Sequence, residues 1–144
     1  MAKSESVLVR SVKVADYMST RVVTFRPTMN VFDAMQILMS RGFSGAPVVD
    51  DDGRLVGMLS ESDLMQVVIQ DSYYGETAGI VADFMHAPVD TVAPNSDIYS
   101  LAERFLRDGR RRFPVVAEDG KLVGQISRRD VLRAAIGLVG RQTA

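Results

Sequence analysis

The chain has no cysteine, no tryptophan and a single histidine in 144 residues. Without cysteine there is no disulfide, no thiolate nucleophile and no cysteine zinc site. A lone His86 is poor material for a metal centre, and beside Ala87-Pro88 it reads as a surface or cap residue. No P-loop, G-x-G-x-x-G turn or Ser-His-Asp set occurs. No acid–base pair or nucleophile can be named, so the chain is expected not to be an enzyme. No stretch approaches the roughly 20 apolar residues of a membrane helix. The start, MAKSESVLVRSVKV, lacks a long apolar run after its charge and is a poor signal peptide. These absences together fit a reducing cytoplasm.

Charge of one sign is also scarce, with a net of −1, which argues against bulk attraction to nucleic acid or anionic lipid. What is present is ordinary in amount: 47% hydrophobic and 24% charged residues, enough for a compact domain with a real core. The charge is unevenly placed, at net −3 over residues 1–80 and +2 over 81–144. The surplus lies in Arg110, Arg111 and Arg112 and in Arg128 and Arg129. Local basicity in a near-neutral chain points to a small anion or a specific partner before a DNA face.

The chain repeats itself at an offset of 67 residues without a gap. Val14-Ala15-Asp16-Tyr17-Met18 matches Val81-Ala82-Asp83-Phe84-Met85, and 18 of the 52 positions from 14 to 65 are identical. Pro47-Val48-Val49 meets Pro114-Val115-Val116, and GMLSESD at 57–63 meets GQISRRD at 124–130. A match of this length indicates duplication. Each copy carries a short β-rich run (Val22 to Phe25; Val89 to Val92) ahead of Pro27 or Pro94. Asn30 or Asp97 then stands as a helix N-cap. Apolar residues follow at Val31, Ala34, Met35, Leu38 and Met39, and at Ile98, Leu101, Ala102, Phe105 and Leu106, one face of a helix. Methionines 29, 35 and 39 are expected in the core. Gly42 and Gly109 mark left-handed stops. Asp-Gly turns between β-branched runs predict hairpins, and second helices are expected from Asp63 to about Gln70 and from Asp130 to about Val139. The predicted organisation is a lead-in over 1–13, repeat 1 over 14–70, a linker over 71–80, repeat 2 over 81–139 and a tail over 140–144. Each repeat should be β-α-β-β-α with a three-stranded sheet.

This grammar resembles the CBS domain, named after cystathionine β-synthase, present as a tandem pair or Bateman module. The resemblance rests on VADYM and VADFM, on the PVVDDDG and PVVAEDG hairpins, and on the G-x-x-S-x-x-D tails. It implies an α+β fold of two repeats packed with pseudo-two-fold symmetry around two clefts. It also implies adenosine nucleotides (AMP, ADP or ATP) as ligands, with S-adenosylmethionine or NAD as further candidates and no required cofactor. In the γ subunit of AMP-activated kinase, an aspartate at the position of Asp63 or Asp130 holds the ribose hydroxyls. The phosphate or hydroxyl contacts implied are Ser60, Ser127, Arg111, Arg112, Arg128 and Arg129. One cleft would group Thr24, Gly45 and Ala46 with Gln125, Ser127, Arg129 and Asp130. The other would group Thr91, Arg112 and Phe113 with Met58, Ser60 and Asp63. The kinase subunit has His-Arg where this chain has Arg111-Arg112, so only Arg112 matches in type.

Elementary chemistry agrees with these roles. A carboxylate accepts from vicinal hydroxyls, guanidinium forks suit phosphate oxygens, and a helix N-terminus directs free N–H groups at an anion. Ser-x-x-Asp before an apolar run is also close to a capping box with Ser60 or Ser127 as N-cap, and the two roles are compatible. Capping leaves Gly57 and Gly124 unexplained; close approach of a ligand or backbone, or a bulge, would explain them. Ser44, Glu61 and Ser62 replace the second copy's arginines, so the two clefts should differ. The leading functional expectation is a regulatory module that binds an adenosyl ligand and signals to a protein partner in trans. A ligand-free dimerisation or scaffold module is the alternative, and a homodimer fits both. Nucleic-acid binding through GRRRF is disfavoured by the net charge.

Overall fold

The computed structural model describes residues 11–74 and 79–143, with side chains left out at 72–74 and 139–143. Most of the lead-in (1–10), the middle of the linker (75–78), the side chains of the tail and Ala144 therefore lie outside the described residues. The described residues form four helices and four strands: α1 (Val31–Arg41), β1 (Gly45–Val49), β2 (Leu55–Ser60), α2 (Glu61–Tyr74), α3 (Ile98–Asp108), β3 (Arg112–Val116), β4 (Leu122–Ser127) and α4 (Arg128–Thr143). Short 3-10 turns at Val14–Asp16 and Val81–Asp83 open the two copies and lead into them. No helix among the described residues is long and apolar enough to cross a membrane.

The local signals act as their chemistry requires. Asn30 accepts hydrogen bonds from the amides of Phe32 and Asp33, and Asp97 accepts one from Tyr99, so both helices start where a side chain meets the free N–H groups. Gly42 (φ 68°) and Gly109 (φ 64°) stop them in the left-handed region. Strand β1 pairs with β2 antiparallel, Gly45 opposite Ser60 and Pro47 opposite Met58, with an irregularity between Val48 and Val49. The first β-rich run of each copy is not a third strand. It is pinched to one parallel bridge, Phe25 with Val48 and Val92 with Val115. Pro27 and Pro94 follow two residues later and offer no N–H to continue a ladder. The second helices begin two residues before the expected aspartates, because Ser60 and Ser127 are the N-caps.

The chain divides into two compact units whose borders are not those of the repeats. Among the described residues, one unit joins 11–20 to 91–117 and 123–143; the other joins 21–74 and 79–90 to 118–122. Each lead-in turn thus belongs with the body of the other copy. In the first unit Val14 N–H donates to Ser96 O at 2.8 Å, Ala15 N–H to Pro94 O at 2.9 Å and Ile98 N–H to Val12 O at 2.9 Å. In the second, Val81 N–H donates to Met29 O at 2.8 Å, Ala82 N–H to Pro27 O at 2.9 Å and Val31 N–H to Gly79 O at 3.1 Å. The cores follow the same exchange. Val14 packs with Val92, Ile98, Leu101, Phe105 and Phe113, and Val81 packs with Phe25, Val31, Ala34, Leu38 and Leu59.

Not every expected core residue is inside. Met29 and Met35 pack against their cluster, but Met39 is 54% exposed and its counterpart Leu106 is 88% exposed. Exposed apolar residues recur in pairs at the repeat offset: Phe32 with Tyr99, Met39 with Leu106, Met65 with Leu132, and Ile69 with Ile136. The helix faces carrying them are duplicated features, not scattered accidents.

Candidate functional site

The repeated tails are capping boxes. In the second unit Ser60 Oγ accepts from Asp63 N–H at 3.3 Å, and Asp63 Oδ2 accepts from Ser60 N–H at 2.8 Å. In the first unit Asp130 N–H donates to Ser127 Oγ at 3.2 Å, and Ser127 N–H donates to Asp130 Oδ2 at 2.8 Å. Each aspartate is thereby fixed at the third position of its helix with its side chain largely covered, 17% exposed in both. Its charge also sits on the positive end of α2 or α4.

The upstream glycines serve the backbone. A Cβ on Gly57 would lie 2.6 Å from Met85 Sδ and 3.2 Å from the His86 carbonyl oxygen. One on Gly124 would lie 2.6 Å from Met18 Sδ and 2.8 Å from the Ser19 carbonyl oxygen. These contacts come from the exchanged lead-ins, which bridge to the tails through Met58 with His86 and Ser19 with Gln125. Close backbone approach, not a ligand, is what the glycine spacing in G-x-x-S-x-x-D records.

The expected site residues sort by copy. Thr24, Gly45, Ala46, Met58, Ser60 and Asp63 lie in one unit; Thr91, Arg111, Arg112, Phe113, Gln125, Ser127, Arg128, Arg129 and Asp130 lie in the other. Both expected cross-copy groupings therefore draw on the two units. Phe113 and Ala46, two of the expected cleft walls, are buried in their own cores. Thr24 is exposed, as are Arg111, Arg128 and Arg129.

In the first unit, Arg128 N–H donates to Arg111 O at 3.0 Å, as Glu61 N–H does to Ser44 O at 2.9 Å in the second. At the repeat offset Arg112 and Ser127 are the counterparts of Gly45 and Ser60, which stand opposite each other in β1 and β2. Arg112 Nε and Gln125 Nε2 are buried and have no hydrogen-bond partner among the described residues. A buried donor left unmet costs about 1–3 kcal/mol, and such groups are nearly always paired. Two donors of this kind call for acceptor oxygens from outside the described residues.

Three residues missing from the expected site hold its members in place. Arg104 Nη1–H donates to Thr91 O at 2.9 Å, and its guanidinium lies 4.5 Å from the centroid of Phe113. Arg133 reaches Asp130 Oδ1 at 3.2 Å; its i, i+3 spacing from Asp130 is the signal that could have found it. His86 Nδ1 lies 2.8 Å from Asp63 Oδ2. The two residues are 23 apart in sequence, and no local pattern announces the contact. A cavity of about 190 Å³ opens beside Asp130 and Arg133, lined also by Tyr17, Ala134, Gly137 and Leu138. It is smaller than the roughly 300–1,000 Å³ of a cofactor pocket, so it admits part of a ligand at most. No group of three or more metal-ligating side chains occurs among the described residues.

Comparison with known proteins follows the same pattern. The profile of the CBS domain matches residues 14–70 and again 81–137. Protein MJ1225 of Methanocaldococcus jannaschii is 27% identical over 83% of this chain and 41% of its own length. The chloroplastic CBS domain-containing protein CBSX2 of Arabidopsis thaliana is 29% identical over 85% of this chain and 63% of its own length. The chain thus spans less than two thirds of either relative. The crystal structure of CBSX2 in complex with AMP matches with a TM-score of 0.77 at 31% identity, covering 90% of this chain and 99% of that one. AcuB of Vibrio cholerae matches with a TM-score of 0.78 at 28% identity, covering 93% of this chain and 97% of that one. With both copies matched and the same α+β architecture in each unit, the chain belongs to the CBS domain family as a tandem pair.

Proposed function

We propose that this CBS pair is a regulatory module that binds an adenosine nucleotide or related adenosyl compound and passes the occupancy to a protein partner in trans. The observation that carries the reading is that two buried donors, Arg112 Nε and Gln125 Nε2, have no hydrogen-bond partner among the described residues. Ligand oxygens would satisfy them. Asp63 and Asp130 are the acceptors for ribose hydroxyls, and Ser60, Ser127, Arg111, Arg112, Arg128 and Arg129 supply phosphate or hydroxyl contacts. AMP is the first ligand to test, because CBSX2, 31% identical, is crystallised with it; ADP, ATP, S-adenosylmethionine and NAD follow.

The test is calorimetric titration of protein stripped of carried-over ligand, with wild type, Asp63→Ala and Asp130→Ala. Wild type should bind, and each variant should lose one site. Ligand at 100 times its dissociation constant should stabilise the fold by about 2.7 kcal/mol, seen as a rise in melting temperature. Wild type that binds none of these compounds refutes the reading.

A second reading concerns assembly. The four pairs of exposed apolar residues at the repeat offset give both units the same sticky helix faces, which favours a homodimer formed through them. Sedimentation should show a dimer for wild type and a monomer for the double variant Leu132→Glu, Ile136→Glu. A monomeric wild type at micromolar concentration removes this reading and leaves the first intact.

A further inference from the structure

Asp63 and Asp130 occupy equivalent places in equivalent capping boxes, but their remaining contacts differ. At Asp63 every hydrogen bond that the carboxylate accepts among the described residues converges on one oxygen. Oδ2 accepts from Ser60 N–H at 2.8 Å, from Ser60 Oγ–H at 2.9 Å and from His86 Nδ1 at 2.8 Å. At Asp130 the contacts are divided: Oδ2 accepts from Ser127 N–H at 2.8 Å, and Oδ1 accepts from Arg133 at 3.2 Å. The carboxylate is acceptor-only, so His86 Nδ1 carries the hydrogen.

His86 is half exposed, yet its backbone is fixed. Its N–H donates to Met58 O at 2.9 Å, and its carbonyl accepts from Met58 N–H at 3.0 Å. The imidazole is therefore presented to Asp63 by a two-bond bridge, not by a free loop. The same bridge in the first unit presents Ser19, and there Arg133 meets the tail aspartate from α4. The corresponding residue of α2 is Gln66.

We propose that His86 is a positioning residue for the Asp63 site. It pins Oδ2 together with the capping donors, sets the plane of the carboxylate, and turns Oδ1 outward as the acceptor for a ligand hydroxyl. At Asp130 a hydroxyl must instead compete with the Arg133 guanidinium for Oδ1. The Asp63 site is accordingly the stricter reader of the ribose 2′-hydroxyl. This inference rests on the adenosyl-ligand reading given above.

The test isolates the Asp63 site in the Asp130→Ala protein and titrates it with AMP and with 2′-deoxy-AMP. His86→Ala should weaken AMP about tenfold, the effect of losing one hydrogen bond to a charged group, while leaving 2′-deoxy-AMP nearly unchanged. His86→Asn, whose amide N–H can take the place of Nδ1–H, should restore most of the preference. In the Asp63→Ala protein, His86→Ala should change neither ligand. A loss equal for both nucleotides, or an unchanged preference in His86→Ala, overturns the positioning role while the adenosyl-ligand reading stands. Absence of AMP binding in wild type overturns both, and melting curves of the Ala and Asn variants identify a loss that comes from unfolding.

Discussion

The two units solve one packing problem with different side chains. In one, a large Phe25 faces two small residues, Ala34 and Ala46; in the other, a smaller Val92 faces Leu101 and Phe113. These are equivalent positions 67 residues apart, all buried. The bridge residue is smaller and the helix and hairpin residues are larger in the second of these, with the backbone plan kept. The rearrangement also reaches the surface. A large Phe113 gives Arg104 a ring to lie on, where the first copy has Ile37 and Ala46 and no such clasp.

The comparison can be broken by moving the bulk back. Phe113→Ala should destabilise the protein by about 3–5 kcal/mol in denaturant unfolding. Adding Val92→Phe recreates the first copy's pairing at these two positions and should recover at least about 1 kcal/mol. A double variant no better than the single one would show that the cores are not interchangeable.

A smaller effect separates the two tails. Gly124→Ala and Gly57→Ala each press a methyl on a methionine sulfur, which can move. Gly124→Ala also presses the Ser19 carbonyl at 2.8 Å, whereas the His86 carbonyl stands 3.2 Å from the added carbon at Gly57. Overpacking of this kind costs about 1–3 kcal/mol, and Gly124→Ala should lie at the upper end. Equal, negligible losses in thermal melts would return the glycines to a ligand role.

Much of this was readable in one dimension because it is local. Asn30 and Asp97 cap, Gly42 and Gly109 stop, and the Asp-Gly turns reverse the chain within a few residues of themselves. The apolar period found the buried face of α1 and α3 but overreached at Met39 and Leu106, since period alone does not mark where a stripe ends. Ser60 and Ser127 were legible both as caps and as ligand donors, and the geometry shows the cap. What the sequence could not display is partnership at a distance. Val14 and Val81 open identical phrases, and no pattern tells which body each joins. His86 and Arg104 are equally silent, because their partners Asp63 and Thr91 lie well beyond a helical turn along the chain.

The exchanged lead-in turns have a consequence for how such a chain is made. On the ribosome the first copy emerges without Val81, Met85 and His86, and the segment around Val14 must wait for residues beyond 91 before it finds its core. Neither copy is a finished object when its own sequence ends. A fragment stopping at Gln70 would carry an open groove and, at its other end, the turn that fits the equivalent groove of the second copy. Two such fragments could trade turns and close each other, which is the assembly a single-copy forebear would have needed before duplication tied the pair into one polypeptide.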